Sequence, residues 1–181
     1  MLKGFLQVNK SVKLLSPKLL TKAHKKNDFD CGVLPLNSFL QNYALQNSKN
    51  HSSRTYVSIC KNTEAVAGYY TLTFGSISHQ EATEKVKKRM PNYPIPVMII
   101  ARLAVCKNYK NLGLGRSLLS DALLRTIQAL NIGGLRAVIA HAKDDFAKNF
   151  YLKYGFEESI LDPYHLMLTI QDIEFALGED K

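Results

Sequence analysis

Cysteine is scarce in this chain of 181 residues: Cys31, Cys60 and Cys106 are its only three. An odd number of cysteines without metal-like spacing argues against a disulfide framework and against a zinc site. Cys31 could be a reactive thiol, but no nearby histidine supports a nucleophile. We therefore expect plain buried or half-buried thiols in a reducing compartment, and no metal.

Long apolar runs are also missing. The best one, from Val97 to Val105, is interrupted by Arg102 and falls far short of the roughly 20 residues that a membrane-spanning helix needs. The first ten residues contain no apolar stretch and no cleavage site of the kind found in signal peptides. These two absences predict a cytoplasmic protein without a membrane segment.

Acidic residues are absent from the first 27 positions, which hold seven lysines. A second basic cluster follows at Lys85, Lys87, Lys88 and Arg89, whereas the last 25 residues hold seven acidic residues against the single cation Lys181. The formal net charge is +9. This asymmetry predicts a basic face that could meet a polyanion, and a merely solubilising surface is an equal interpretation.

The hydrophobic pattern predicts a chain that alternates strands and helices. The β-branched run Val97 to Val105 is typical of a central strand buried on both faces. Gly115 to Leu130 carries an apolar helical stripe, and Asp144 to Tyr154 has an acidic cap and Gly155 as its stop. The other predicted elements are a strand at 12–15, a helix at 36–46, strands at 55–60 and 65–74, a short helix at 80–89, a strand at 137–140, and closing strands after Phe156 and at 166–170. This order predicts one α/β domain with a mixed sheet flanked by helices.

A glycine-containing loop separates the central strand from the long helix. Lys110-Asn111-Leu112-Gly113-Leu114-Gly115-Arg116 allows a tight turn whose N–H groups point inward, and the helix that starts there adds the positive end of its dipole. Such a loop suits a phosphate or pyrophosphate, although a purely structural turn would explain two glycines as well. The segment lacks the Gly-Lys-Ser/Thr ending of a Walker loop and the third glycine of a dinucleotide fingerprint.

This loop resembles the Arg/Gln-x-x-Gly-x-Gly/Ala motif of the GNAT acetyltransferases, with Lys110 where Arg or Gln is usual. Phe150-Tyr151 followed by Gly155-Phe156 resembles the segment that closes the cofactor site in the same fold. The resemblance implies a GNAT fold and acetyl-CoA as cosubstrate. It further implies that acetyl-CoA is held by a strand, a loop and a helix, through Leu103, Ala104, Val105, Lys110, Asn111, Leu112, Gly113, Leu114, Gly115, Arg116, Ser117, Asn149 and Phe150.

Acyl transfer from a thioester needs a neutral amine, a stabilised oxyanion and a proton for the departing thiolate. By the same resemblance Tyr151 supplies that proton, and an amide of the strand near Leu103 to Val105 stabilises the oxyanion. Tyr151 could instead be a core aromatic beside Phe150 and Tyr154. No general base stands out. We interpret the candidates His141, Glu81 and Glu84 as structural, because a substrate α-amine with a pKa near 8 is partly neutral without help.

Five short segments in a fixed order extend the resemblance over about residues 12 to 170. The chain is similar to the GNAT toxins of bacterial type II toxin–antitoxin modules through the segments Phe29 to Gly32, Ser53 to Val57, Gly68 to Leu72, Pro94 to Val97 and Arg102 to Val105. The resemblance implies acetylation of the α-amine of an aminoacyl-tRNA, neutralisation by a ribbon-helix-helix antitoxin, a homodimer, and DNA contact only through the antitoxin.

An aminoacyl-tRNA substrate needs a basic face, and phosphate contacts would make its affinity sensitive to salt. The candidate contacts are the N-terminal lysines and Arg54, Lys85, Lys87, Lys88, Arg89 and Arg102. For Arg54 and Arg102, a buried ion pair that holds strands together is an equal interpretation. The alternative function is acetylation of a small amine, a peptide or a protein lysine. We expect residues 1–10 to be a basic extension, either a flexible arm or a product of the start codon chosen, and residues 11–175 to form the GNAT domain.

Overall fold

The computed structural model describes residues 12–178, so the predicted extension at 1–10 lies outside the described part. Seven strands form one sheet in the order β1-β2-β3-β4-β5-β7-β6. The strands are β1 (Lys18–Leu19), β2 (Arg54–Ile59), β3 (Val66–Ile77), β4 (Ile95–Val105), β5 (Ala137–His141), β6 (Glu157–Glu158) and β7 (His165–Thr169). Among these seven strands, β4 and β5 form the one parallel pair, because α4 (Leu114–Ala129) makes the crossover between them.

Helices cover both faces of the sheet. Helix α4 packs on one face, where Leu118 and Leu119 contact a core that includes Tyr70 of β3. On the other face lie α1 (Leu34–Ser38) and α2 (Ala44–Lys49), which are joined by a π-helical turn at Phe39–Tyr43, and α3 (Glu84–Lys87). The remaining helices are α5 (Asp145–Lys153) and α6 (Ile170–Leu177). The mixed sheet between helices confirms the predicted α/β class.

Several local predictions are confirmed by their caps. The Asp144 carboxylate accepts a hydrogen bond from the Ala147 N–H at 2.8 Å and so begins α5, and Gly155 follows that helix with φ +86°. The predicted strand at 97–105 is β4, which is two residues longer at its start.

Other predictions are wrong at the edges of the fold. The expected strand at 12–15 is a single bridge between Leu14 and Cys60, and the first strand is β1 instead. The expected helix at 80–89 shortens to α3, because Thr83 caps it at one end and Lys88 leaves helical geometry at the other. The closing strand stops at Thr169, whose side chain accepts from the Asp172 N–H and begins the unpredicted helix α6.

The centre of the sheet opens where β4 and β5 part. Their ladder runs from Val97–Ala137 to Ile100–Ala140 and ends there. Strand β4 then bulges at Ala101, since Thr71 pairs with Arg102 and Leu72 with Ile100, and it continues to Val105 beside β3. From Ala101 to Val105 the edge of β4 on the β5 side has no strand partner among residues 12–178. This opening positions the site described below.

Candidate active site

The open edge of β4 offers backbone N–H and C=O groups to an extended ligand, as an unpaired strand edge does. Leu103 and Val105 are half-buried toward the α4 face and Ala104 is buried toward the α1 face, so their side chains point away from the edge. The backbone is therefore the part of these three residues that faces the opening.

The glycine loop leads from this edge into α4. Gly113 has φ +76° and stands at the N-cap position without a side-chain cap, and no atom lies within 4 Å of the place a Cβ would occupy. No side-chain hydrogen bond from the described residues caps the first N–H groups of α4, and an uncapped helix N-terminus attracts anions. Lys110 and Arg116 are exposed beside it, as are Asn111, Leu112 and Ser117. A cavity of about 200 Å³ borders the loop between residues 14–16 and Ser117.

Gly115 joins three elements of the site. A Cβ there would lie 3.4 Å from Cε2 of Phe150 on α5 and 3.9 Å from Cγ2 of Val105 on β4. The end of β4, the start of α4 and the middle of α5 therefore meet at one point. Leu114, like Ala104, has its side chain in the core.

Tyr151 lies on α5 and is 6% exposed. Its ring packs between Phe150 and Phe156, with both centroid distances at 5.2 Å. Burial raises the pKa of the Tyr151 hydroxyl above its ordinary value, and no hydrogen bond from the described residues contributes. The hydroxyl therefore stays protonated at neutral pH and can donate to a ligand. Asn149, also predicted to bind the cofactor, is exposed two residues earlier.

The family whose description is "Acetyltransferase (GNAT) domain" matches residues 52–158, which include the loop, the open strand edge and Tyr151. The chain belongs to the GNAT acetyltransferases. It is therefore an acetyl-CoA-dependent acyltransferase, as the sequence predicts. The open edge of β4, the uncapped start of α4 and the space beside Gly113 fit an extended cosubstrate that carries phosphates.

Named relatives resemble this GNAT protein over nearly its whole length. The "tRNA-acetylating toxin" of Mycobacterium tuberculosis (strain ATCC 25618 / H37Rv) is 38% identical over 164 residues, 91% of this chain and 97% of the relative. The structure of AtaT complexed with acetyl-methionyl-tRNAfMet has a TM-score of 0.82 and 26% identity, covering 91% of this chain and 99% of AtaT. A Tyr-to-Phe mutant of AtaT, bound to the C-terminus of the antitoxin AtaR and acetyl-CoA, has a TM-score of 0.76 and 25% identity over 92% of this chain and 99% of that one.

The predicted basic cluster of this acetyltransferase is partly neutralised by its own acids. Lys85 pairs with Glu157 at 2.5 Å and lies 3.8 Å from Asp172, and Lys87 pairs with Glu84 at 2.7 Å. Lys88 and Arg89 are exposed, and neither forms an ion pair within the described range. The role of all four in binding a substrate stays a prediction.

Arg102 and Arg54 do not form the buried ion pair that is one interpretation of the sequence. The guanidinium of Arg102 lies 3.7 Å from the ring centroid of Phe39, on the face covered by α1 and α2. Arg54 is exposed and donates to the Ser48 carbonyl at 3.4 Å. Both cations, in the part of the chain that the structure describes, therefore keep charge that no acid neutralises.

The cysteines are confirmed as buried, free thiols. Burial raises the pKa of the Cys31 thiol above its ordinary value, which makes it a poor nucleophile. Among residues 12–178 no group of three His, Cys, Asp or Glu side chains could hold a metal ion, and no helix is long and apolar enough to cross a membrane.

One polar cluster beside the opening has no signal in the sequence. His141 and His165 stack with ring centroids 4.0 Å apart, on β5 and β7. From the sequence His141 is interpreted as structural, and His165 does not stand out at all. The two residues are 24 positions apart, so only the strand order brings them together.

Proposed function

We propose that this protein transfers the acetyl group of acetyl-CoA to the α-amine of the amino acid on a charged tRNA, and that it acts as a toxin that blocks translation. The observation that carries the proposal is the 38% identity to a tRNA-acetylating toxin over 97% of that relative's length. Such coverage includes the face of the sheet that carries Arg102 and α1 as well as the acetyl-CoA loop. An acetylated α-amine cannot attack the next peptidyl ester, which explains the block.

When bound, acetyl-CoA supplies an acetyl thioester. The backbone of Leu103, Ala104 and Val105 would hold the pantetheine arm, and an amide there would stabilise the oxyanion. The start of α4, from Gly113 to Ser117, would hold the pyrophosphate, with the charges of Lys110 and Arg116 beside it. Phe150 and Asn149 would form the adjoining wall, and Tyr151 would protonate the departing sulfur.

The acceptor end of the tRNA would approach the face that carries Arg102 and α1. Arg54 has no acidic partner among residues 12–178, but it shares the α4 face with Tyr56 and Leu72. On the face of Arg102 and α1, Arg102 is the cation best placed to meet the phosphates, since no acid in the described range pairs with it. Lys88 and Arg89 would extend this surface. Lys85 and Lys87 would contribute less, because each already has a carboxylate partner.

The partner proteins follow from the same relatives. We expect an antitoxin to neutralise this toxin, and we propose that it belongs to the ribbon-helix-helix class, so that DNA is reached only through it. We further propose that the toxin is a homodimer and works in the cytoplasm, where charged tRNA is found.

The deciding experiment incubates the purified protein with labelled acetyl-CoA and total charged tRNA, with uncharged tRNA as the control. We expect label on charged tRNA only, and the labelled amino acid then identifies the substrate. Label that moves instead to a polyamine, a peptide or a protein lysine would contradict the proposal and establish the alternative acceptor class.

A further inference from the structure

The stacked pair of His141 and His165 stands beside the opening between β4 and β5. His141 directly follows Ala140, the last residue of β5 that pairs with β4. Its cross-strand partner on β7 is His165, and their rings lie 20° from parallel with centroids 4.0 Å apart. The pair therefore marks the point where the sheet opens.

The alternation of side chains places this pair on the acceptor face. Ala140 and Leu166 belong to the same core cluster as Tyr151, on the α4 face. Ile139 and Met167 belong to the cluster on the opposite face, against α3. Successive strand residues point to opposite faces, so His141 and His165 share the α3 face. Tyr151 and His141 thus stand on opposite sides of the opening.

The ring of His141 is available for chemistry. Its exposed side chain makes no hydrogen bond to any residue in the described range, whereas Nε2 of His165 lies 3.4 Å from the Asp162 carboxylate. Asp162 thereby orients His165, and His165 orients the ring of His141 by stacking. His141 keeps a ring nitrogen that can accept a proton.

The surroundings of His141 favour the neutral form of its ring. Partial burial and then the neighbouring His165 lower the pKa of His141, while Asp162 and Glu81 oppose this shift. Glu81 approaches from the loop before α3, where its carboxylate accepts from the N–H of Ser78 at 3.0 Å and from its hydroxyl at 2.8 Å. An imidazole whose pKa lies below about 6.5 is mostly unprotonated at physiological pH and can act as a base.

We propose that His141 is the general base that takes the proton from the attacking α-amine, with His165 and Asp162 as positioning residues. This inference rests on the proposed function. The amine nitrogen forms the new C–N bond to the acetyl carbon as the C–S bond breaks. One N–H proton passes to His141, and the Tyr151 hydroxyl gives its proton to the sulfur. Solvent then takes the proton from His141 and restores that of Tyr151, so charge and atoms balance.

The pH profile of kcat/KM tests the base directly. Activity of the wild-type protein should rise as the pH passes upward through the pKa of His141, because only the neutral ring accepts a proton. His141→Gln should lower kcat/KM at pH 7 by about 10²-fold, within the range of general-base catalysis. Its residual activity should follow only the titration of the amine, and acetyl-CoA binding by calorimetry should be unchanged. A variant within twofold of wild type that keeps the same profile would overturn the proposal.

Substitutions of two neighbours should shift the pKa of His141, and with it the acidic limb of the pH profile, in opposite directions. A merely structural role of His141 would not produce these shifts. His165→Asn removes the neighbour that lowers the pKa of His141, so the acidic limb should move to higher pH. Asp162→Asn removes a negative neighbour and should move the limb to lower pH. If both limbs coincide with that of the wild type, His141 is not the titrating group.

A measurement on the unmodified protein tests the proposal even if a variant does not fold. An NMR titration of the His141 ring in the full chain should give a midpoint equal to the acidic limb of the wild-type profile, and a clear mismatch would overturn the proposal. The wild-type protein also separates this inference from the proposed function. If label moves only to a peptide or polyamine, the tRNA proposal fails, and the same profiles measured with that amine still decide the role of His141.

Discussion

Gly115 faces the ring of Phe150 so closely that a Cβ at position 115 would stand 3.4 Å from the ring carbon Cε2. Packing between α4 and α5, and not the backbone angle, therefore limits position 115 to a small side chain. The first glycine is required for the opposite reason, since Gly113 has φ +76° and open space around it. One loop thus holds two glycines with different physical roles.

The variant Gly115→Val should displace Phe150 and the first turn of α4 with it. Overpacking costs about 1–3 kcal/mol of folding stability. Because the displaced turn is the proposed phosphate site, we also expect acetyl-CoA binding to weaken by roughly tenfold, which corresponds to about 1.4 kcal/mol. Gly115→Ala should show a smaller effect, because the added Cβ would be tight against the ring but not overlapping. Calorimetry with acetyl-CoA measures both.

The matched control for this pair is Gly133→Ala, where no atom lies within 4 Å of the added Cβ. It should bind acetyl-CoA like the wild-type protein. Equal affinity of Gly115→Val and wild type would contradict the packing role of Gly115.

Removal of the Tyr151 hydroxyl should affect turnover alone. The ring packs between Phe150 and Phe156, and Tyr151→Phe preserves that packing. We expect kcat to fall by about 10²-fold or more, with the melting temperature and acetyl-CoA binding unchanged. Tyr154→Phe is the control, since Tyr154 also packs on Phe150, at 5.1 Å, and carries no proposed chemistry. Unchanged turnover in Tyr151→Phe would remove this residue from the mechanism.

The burial of Tyr151 also determines how its action as a general acid depends on pH. Tyr151 must be protonated to donate, and burial raises its pKa above the ordinary value of 10.0. The protonated range therefore extends upward, and the kcat profile should show no descending limb from this group below about pH 10. A limb near pH 8 that disappears in Tyr151→Phe would contradict this assignment.

Local signals in the sequence are sufficient to predict the parts of the site that are contiguous in the chain. The β-branched run predicts β4, and the two glycines predict the anion-binding start of α4, because each depends on neighbours a few positions apart. The opening between β4 and β5 is not predictable in this way. Its position depends on the bulge at Ala101, which is visible only in the register against β3.

Contacts across elements are also beyond local patterns. In the sequence Lys85 reads as one more cation of a basic cluster, yet Glu157 and Asp172 reach it from β6 and α6. The helix α6 itself does carry a local signal. Thr169 and Asp172 form a capping arrangement, and Ile170, Ile173 and Leu177 follow at helical spacing.

Two charge variants test which lysines meet the tRNA. Lys88→Gln combined with Arg89→Gln removes two cations that have no acidic partner among residues 12–178. This double variant should weaken tRNA binding and reduce the slope of log affinity against log salt by roughly 0.7–0.9 for each phosphate that is no longer neutralised. Lys85→Gln combined with Lys87→Gln removes the same charge from residues already paired with carboxylates, and should change the slope less. If both double variants keep the slope of the wild-type protein, the tRNA binds elsewhere.

The Asp30 carboxylate explains the first of the five ordered segments and predicts a pH-dependent stability. It accepts hydrogen bonds from Lys107 at 2.7 Å, and from the Gly32 N–H and Asn37 Nδ2, both at 2.8 Å. These hydrogen bonds lower the pKa of Asp30 to about 2, and the bond from Lys107 contributes most. They tie the loop before α1 to the segment after β4.

Asp30→Asn should therefore lower the free energy of unfolding at pH 7. A carboxyl whose folded pKa is depressed stabilises the protein fully above its unfolded pKa of about 4, and this contribution is lost as the pH falls toward 2. The difference between Asp30→Asn and wild type should shrink from pH 7 to pH 2 in urea titrations. Glu64→Gln is the control, because Glu64 has a single exposed partner, Lys25, and its removal should change stability little at any pH. A difference for Asp30→Asn that is constant from pH 7 to pH 2 would show that the loop does not depend on the ionised carboxylate.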